Sequence, residues 1–361
     1  MGLTPADHDL SSRKRDRNDD DGTTSNKISL RNQLQYARNG HAVLRSILDP
    51  ETLSLLRSEL IHFSSLRSLD AWRQKVEVAT NSLTVSKACS SIRECQTILR
   101  RINSSGDGDG SKNFLQQPFL QHFNTWREIR SVEKFVTSPL MARSAATLMD
   151  VKKVRLYQDS LFIKRAGDGP TPFHSDARMA PFDTSNMITF WIPFQKIPDS
   201  SMGGTGLIFV DKSHADFALP FWNQQPSSDF YDGLEQRYGG DRSVTNYMPL
   251  EFGDVTVHSG FTLHCANSNI GRQSEYFLGE EESTTRYALA VTYVDASAEI
   301  RDNLFNENHS NRFNSTRIDV GHNEDQWSFQ DWIHDVKPRT YFEHDLVPIV
   351  WPCSAETSIS V

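Results

Sequence analysis

The run Met187-Ile188-Thr189-Phe190-Trp191-Ile192-Pro193-Phe194 is apolar almost throughout and eight residues long, a length that suits a buried strand. Similar runs recur at 151–157, 161–164, 206–210, 253–258 and 286–294. Turn residues separate them, among them Gly167-Asp168-Gly169-Pro170, Gly203-Gly204 and Gly253-Asp254. Many short strands with regular turn signals predict a β-sandwich or barrel. Helical patterns precede the strands, so the expected class is α+β, mainly β: a jelly-roll core with N-terminal helices packed on one face.

Upstream, Leu30, Leu34 and Tyr36-Ala37 suggest a short helix that Asn39-Gly40 stops. Residues 41–48 read as a strand. Asp49-Pro50-Glu51 is a helix start, with a capping carboxylate and Pro at the first helical position, and Leu53, Leu56 and Leu60 follow at helical spacing. Residues 66–115 read as a helical insertion, and 131–149 as one further amphipathic helix. Residues 1–27 hold six Asp and five Lys or Arg and almost nothing apolar, the composition of a disordered tail. That tail has no apolar h-region of a signal peptide, and Ala6 argues against myristoylation of Gly2. Arg13-Lys14-Arg15 reads as a solvated cluster. The expected organisation is a tail (1–27), a single domain (28–352) that includes the insertion, and a C-terminal tail (353–361). An aromatic-rich excursion at 215–248 is placed as a lid would be.

Composition narrows the class. The 361 residues carry 38 Lys and Arg against 46 Asp and Glu, a net charge of −8, which disfavours a dedicated nucleic-acid binder. No apolar run approaches the length of a membrane span. Cys89, Cys95, Cys265 and Cys353 form neither a CxxC pair nor a disulfide framework, which fits a reducing compartment. A cytoplasmic protein with no nucleic-acid and no membrane partner is expected.

Chemistry concentrates in Thr171-Pro172-Phe173-His174-Ser175-Asp176. On a strand, residues two apart share a face, so His174 and Asp176 can reach one cation. A third ligand should come from a later strand, and the segment 253–264 offers two candidates, His258 and His264. Two His and one carboxylate leave three positions of an octahedral ion open on one side, the arrangement of non-haem Fe(II) sites. Two of these suit an α-keto acid and the third dioxygen. The distal carboxylate of an α-keto diacid needs a cationic anchor, and Arg286 enters an apolar run 22 residues after His264. An Arg there is expected to be paired, and its fork matches a carboxylate.

The order of these residues, with His264 88 positions after Asp176, resembles the phytanoyl-CoA dioxygenase (PhyH) family of Fe(II)/2-oxoglutarate oxygenases. The resemblance extends over residues 30–352 and is strongest at 158–294. It rests on Gln158-Asp159-Ser160-Leu161-Phe162-Ile163-Lys164, Phe173-His174-Ser175-Asp176, Phe190-Trp191-Ile192-Pro193, Lys212-Ser213-His214, Gly253-Asp254, His264 with Asn269 five residues on, and Arg286-Tyr287-Ala288. It implies a double-stranded β-helix of the jelly-roll, cupin-like kind. It implies Fe(2+) bound by His174, Asp176 and His264, with 2-oxoglutarate and O2 as co-substrates and Arg286 on the C5 carboxylate. Gln158 and Thr189 stand where relatives hydrogen-bond the co-substrate, Trp191 where one packs the barrel, and Ser213-His214 at a structural turn. The stretch between Asn269 and Arg286 is longer than usual, which leaves Arg272 and Lys164 as rivals for the anchor. Asp176 in the carboxylate position disfavours halogenation.

The reaction implied is oxidative decarboxylation of 2-oxoglutarate to succinate and CO2, coupled to hydroxylation of a small organic substrate. Desaturation or cyclisation by the same chemistry, and a non-catalytic jelly-roll binder, are the alternatives. Arg178 and Trp222 are the candidate substrate contacts, and a monomer or homodimer is expected.

Overall fold

The apolar runs beyond Asp150 become antiparallel sheets. A computed structural model describes residues 28–80, 82–104, 119–216, 244–269, 285–301 and 332–352. The expected tails, most of the 215–248 excursion, Trp222 and Arg272 lie outside these residues, as does the side chain of Arg178.

Seven helices are described: α1 (Leu30–Asn39), α2 (Pro50–Leu66), α3 (Ser68–Thr80), α4 (Leu83–Ala88), α5 (Ile92–Ser104), α6 (Arg130–Val136) and α7 (Pro139–Met149). The strands are β1 (His41–Leu44), β2 (Leu120–Phe123), β3 (Val154–Lys164), β4 (Thr171–His174), β5 (Phe182–Asp183), β6 (Met187–Pro193), β7 (Leu207–Val210), β8 (Val244–Asn246), β9 (Val255–Ser259), β10 (His264–Ala266), β11 (Arg286–Asp295), β12 (Glu299–Ile300) and β13 (Ile349–Trp351). The larger sheet runs β1-β9-β6-β11-β3-β13, with β2 also paired to β3, and the smaller runs β4-β10-β7-β8. β12 pairs with β5 alone.

Local chemistry sets the helix ends. Ser29 caps α1 by accepting from Asn32 N–H at 3.1 Å. Gly40 ends it at φ +82, its N–H donating to Tyr36 O at 2.8 Å. Asp49 caps α2 by accepting from Thr52 N–H at 2.8 Å, as its sequence predicts.

Several expectations need correction. The 131–149 segment is two helices, because Ser138 caps a new one and Pro139 occupies its first turn, where the missing N–H costs nothing. The strand expected at 41–48 stops at Leu44. Ser46 turns with φ +48, and its N–H donates to Asp254 Oδ1 at 2.8 Å. The runs 151–157 and 161–164 are one strand. Asp159, the polar interruption, is buried and accepts from Thr125 N–H, Thr125 Oγ1 and Trp126 N–H at 3.1, 2.5 and 2.9 Å, so it does not break the ladder. The class is mixed: seven helices stand beside thirteen strands, in antiparallel sheets, among the described residues.

Strand alternation separates two layers of core. On the outer face of the larger sheet, Ile188, Phe190, Ile192, Val255, Val257, Leu289, Val291 and Tyr293 pack with Leu53, Leu56 and Leu60 of α2, Val132 of α6 and Met141 of α7. On the inner face, Trp191, Ala288 and Ala290 meet Leu207, Phe209 and Ala266 of the smaller sheet. The helices thus cover one face of the larger sheet and the smaller sheet covers the other.

Leu289 is fully buried on β11, with β3 and β6 on either side. Leu289→Ala should cost about 2–5 kcal/mol in a urea unfolding titration; a loss near zero would mean that this layer is not the main core.

Candidate metal centre

β4 and β10 are neighbours, and His264 stands opposite His174, with ring centroids 4.3 Å apart. The Nδ1 of His174 meets Pro172 O at 2.8 Å, and that of His264 meets Thr262 O at 3.0 Å. A carbonyl only accepts, so in each neutral ring Nδ1 carries the proton and Nε2 presents a lone pair. Both Nε2 atoms lie 3.7 Å from Oδ1 of Asp176. The three donor atoms are all within 4.8 Å of one another.

Asp176 is not on a strand, contrary to the expected i, i+2 pairing. It opens a 3-10 turn, Asp176–Met179, which the Ala177 N–H ties to Gly260 O at 2.7 Å. Its Oδ2 accepts from Thr189 Oγ1 at 2.8 Å and from His258 Nε2 at 3.0 Å. Oδ1 is left facing the two imidazoles. Of the two histidines offered for the third position, His264 joins the cluster and His258 donates to its carboxylate. Burial alone would raise the Asp176 carboxyl, but His264, the His258 hydrogen bond and His174 outweigh it and hold the group well below the usual range. Burial, then His258 and His174, push His264 well below its ordinary value. A charged carboxylate and a neutral imidazole are the states in which these groups bind a cation.

A polar row crosses the larger sheet at this level. Gln158, Thr292, Thr189, His258 and His41 stand opposite one another in turn on β3, β11, β6, β9 and β1. Gln158 reaches it through a bulge: the β3–β11 register shifts between Thr292 and Tyr293, so Leu156 packs outward while Gln158, two residues on, lies in the inner row. Thr189 is beside the cluster, but its hydroxyl is engaged with Asp176 and, at 3.1 Å, with Thr292 Oγ1.

Arg286 is 3% exposed and Lys164 not at all, and they face each other across β11 and β3. The Arg286 guanidinium lies 5.2 Å from the centroid of the Trp191 ring and donates to Thr205 O. Trp191 stands opposite Ala290, two positions from Thr292, so the Arg286 side chain runs back towards the cluster. Among the described residues, Arg286 Nε, Lys164 Nζ and Thr205 Oγ1 have no hydrogen-bond partner. Asn269, which the sequence singles out, donates from Nδ2 to Lys164 O at 3.1 Å. Ser213 accepts from Leu263 N–H at 2.9 Å and donates to Val210 O at 2.7 Å, the structural turn expected.

Thr205 and the carboxylate-orienting role of His258 escape sequence reasoning. Lys164 carried a readable signal, since a Lys closing an apolar run is as anomalous as an Arg opening one.

Comparison with known proteins adds three findings. The family model of phytanoyl-CoA dioxygenase (PhyH) matches residues 36–275. No curated protein matches. Among solved structures, the non-heme α-ketoglutarate dependent carbocyclase SnoK from nogalamycin biosynthesis is similar at a TM-score of 0.54 and 17% identity, over 91% of this chain and 98% of that one. The epimerase SnoN in complex with Fe3+, α-ketoglutarate and nogalamycin RO is similar at 0.51 and 16%, over 89% and 97%. At these identities the likeness is one of fold.

Thr189→Val keeps the side-chain shape and removes the donor to Oδ2. It should lower the stability of the metal-free protein by about 1–3 kcal/mol in urea, with Thr189→Ser recovering most of the loss. Equal stability of the valine variant and wild type would show that the hydroxyl does not hold the carboxylate.

Proposed function

The chain belongs to the phytanoyl-CoA dioxygenase (PhyH) family of Fe(II)- and 2-oxoglutarate-dependent oxygenases, and on that premise we propose that His174, Asp176 and His264 hold the iron and Arg286 anchors 2-oxoglutarate. One observation carries the reading: two Nε2 lone pairs and one carboxylate oxygen converge within 4.8 Å. Two imidazoles and a carboxylate are the donor set of a non-haem Fe(II) site. The unclaimed Nζ, Nε and Oγ1 of Lys164, Arg286 and Thr205 fit an anionic group in the same interior. We read the two facing sheets as a double-stranded β-helix.

With iron bound, the site supplies oxidative decarboxylation of 2-oxoglutarate to succinate and CO2, coupled to oxidation of a small organic substrate. The chain's own residues supply geometry. The carbonyls of Pro172 and Thr262 fix the tautomer and tilt of the two rings. Thr189 and His258 occupy Oδ2, so Asp176 offers one oxygen to the metal. The guanidinium of Arg286, backed by the Trp191 ring, is aimed by its bond to Thr205 O. Ala288, Ala290 and Ala266 are the small side chains of the inner layer beside Trp191. Gln158, in the inner polar row opposite Thr292, is the second residue we assign to the co-substrate. Hydroxylation is the outcome we propose; ring closure and epimerisation belong to SnoK and SnoN.

Anaerobic addition of Fe(II) and 2-oxoglutarate should give a visible charge-transfer band, and His174→Ala should abolish it. Survival of the band would refute the ligand set. Arg286→Ala should raise the Kd for 2-oxoglutarate about 10- to 100-fold. Succinate release should depend on both iron and 2-oxoglutarate; none, even uncoupled, would make the protein a binder rather than an enzyme.

A further inference from the structure

Arg286 is a buried guanidinium that meets Thr205 O and the Trp191 ring but no carboxylate among the described residues. A carboxylate nevertheless stands close by. Asp168 lies four residues beyond Lys164, which is opposite Arg286. Its turn folds back on the end of β3: Oδ2 accepts from Arg165 N–H at 2.7 Å, and the Asp168 N–H donates to Arg165 O at 3.0 Å. Asn269 locks the same place, its Nδ2 donating to Lys164 O at 3.1 Å and its O accepting from Gly167 N–H at 2.7 Å. Burial lowers Arg286 to about 10, and the charge of Asp168 opposes that shift. Buried charges are normally paired, yet Asp168 pairs elsewhere. Its Oδ1 meets Lys75 Nζ at 2.8 Å, in a pair whose side chains are only 13% and 8% exposed.

Lys75 belongs to α3, in the helical insertion, and lies beside Trp72, whose ring centroid is 5.5 Å from Lys75 Nζ and 5.3 Å from the Arg165 guanidinium. Burying a lysine there costs desolvation and side-chain freedom. The turn does not require it, since Oδ2 alone holds Arg165 N–H. What Lys75 adds is an occupant for Oδ1. We propose that Lys75 is a positioning residue that holds the Asp168 carboxylate away from Arg286, and so keeps that guanidinium open to the distal carboxylate of 2-oxoglutarate. The proposal rests on the function proposed above and deepens it, because it makes the helical insertion a regulator of co-substrate affinity. Without Lys75, an unpaired carboxylate stands near an unpaired guanidinium, and the gain from pairing draws Asp168 towards Arg286. Asp168 then competes, from within the molecule, for the group the co-substrate needs. Apparent affinity falls with the fraction of molecules left open: with about nine in ten closed, the Kd rises about 10-fold. An α-keto acid that has no distal carboxylate does not use Arg286 and escapes the competition.

Anaerobic titration of the full-length, Fe(II)-loaded protein with 2-oxoglutarate, and separately with 2-oxobutyrate, which lacks the distal carboxylate, reads this effect through the charge-transfer band. Lys75→Met should raise the Kd for 2-oxoglutarate about 10-fold and leave that for 2-oxobutyrate unchanged. Lys75→Arg, which keeps the charge, should bind both acids as wild type does. Asp168→Asn added to Lys75→Met removes the competing charge and should bring the 2-oxoglutarate Kd back to within about 3-fold of wild type. Equal weakening of both acids by Lys75→Met would make Lys75 a structural residue and overturn the proposal. An unchanged Kd for 2-oxoglutarate, or a double variant no better than the single one, would overturn it too. If the methionine variant does not fold, Asp168→Asn alone decides: both Kd values should stay within about 3-fold of wild type, and a larger loss confined to 2-oxoglutarate would make Asp168 part of the binding site rather than its competitor. No binding of 2-oxoglutarate by the wild-type protein would overturn the proposed function as well.

Discussion

The two hydrogen bonds on Oδ2 of Asp176 are the contact on which the candidate metal centre depends. The aspartate follows β4 of the smaller sheet, whereas its donors, Thr189 and His258, are cross-strand partners in the larger one. A single carboxylate oxygen therefore ties the two sheets together, and the other oxygen is turned towards two imidazoles of the smaller sheet. Were the sheets to slide, Oδ2 would lose both donors at once and Oδ1 its direction. The close packing of Trp191, Ala290, Phe209 and Ala266 between the sheets prevents that slide.

The helices serve the site from behind. α2, α6 and α7 cover the outer face of the larger sheet, so its strands are buried on both sides and can carry polar residues inward at fixed heights. The helices at 68–104 act at a different place: Lys75 of α3 reaches Asp168, and Trp72 lies under both Lys75 and Arg165, at 5.5 and 5.3 Å. Asp168 in turn accepts from Asn269 N–H through its carbonyl, at 3.0 Å. The segment after β3 is thereby fixed to the segment after β10, next to Lys164 and Arg286.

Much of this was legible in the sequence, for definite reasons. Short apolar runs separated by glycine turns announce strands, and β6, β7, β9 and β11 fall on the runs that predict them. His174, Asp176 and His264 were readable because their residue types and order are restrictive. What escaped has a physical cause in each instance. The polar Gln158-Asp159-Ser160 hides the continuity of β3, since its burial is satisfied by groups distant in sequence. Asp176 sits in a turn because a turn, unlike a strand, lets its carboxylate reach β6 and β9. Whether His258 would bind metal or serve Asp176 depends on which atom its Nε2 meets across the sheets, and spacing along the chain does not encode that. Lys164 and Arg286 become a pair only when β3 and β11 are aligned.

β3 has a divided far edge. Residues 160–163 pair with β2, and the first two residues with β13, near the end of the described chain, where Pro348 O also accepts from Leu156 N–H at 3.0 Å. Neither pairing is long, yet together they cover much of the backbone of an eleven-residue strand. Edge strands are where one chain recruits another into aggregates. The few residues of β13 thus act as a stopper on that border: loss of the strand would barely touch the candidate metal centre, but it would lay the start of β3 open to other molecules.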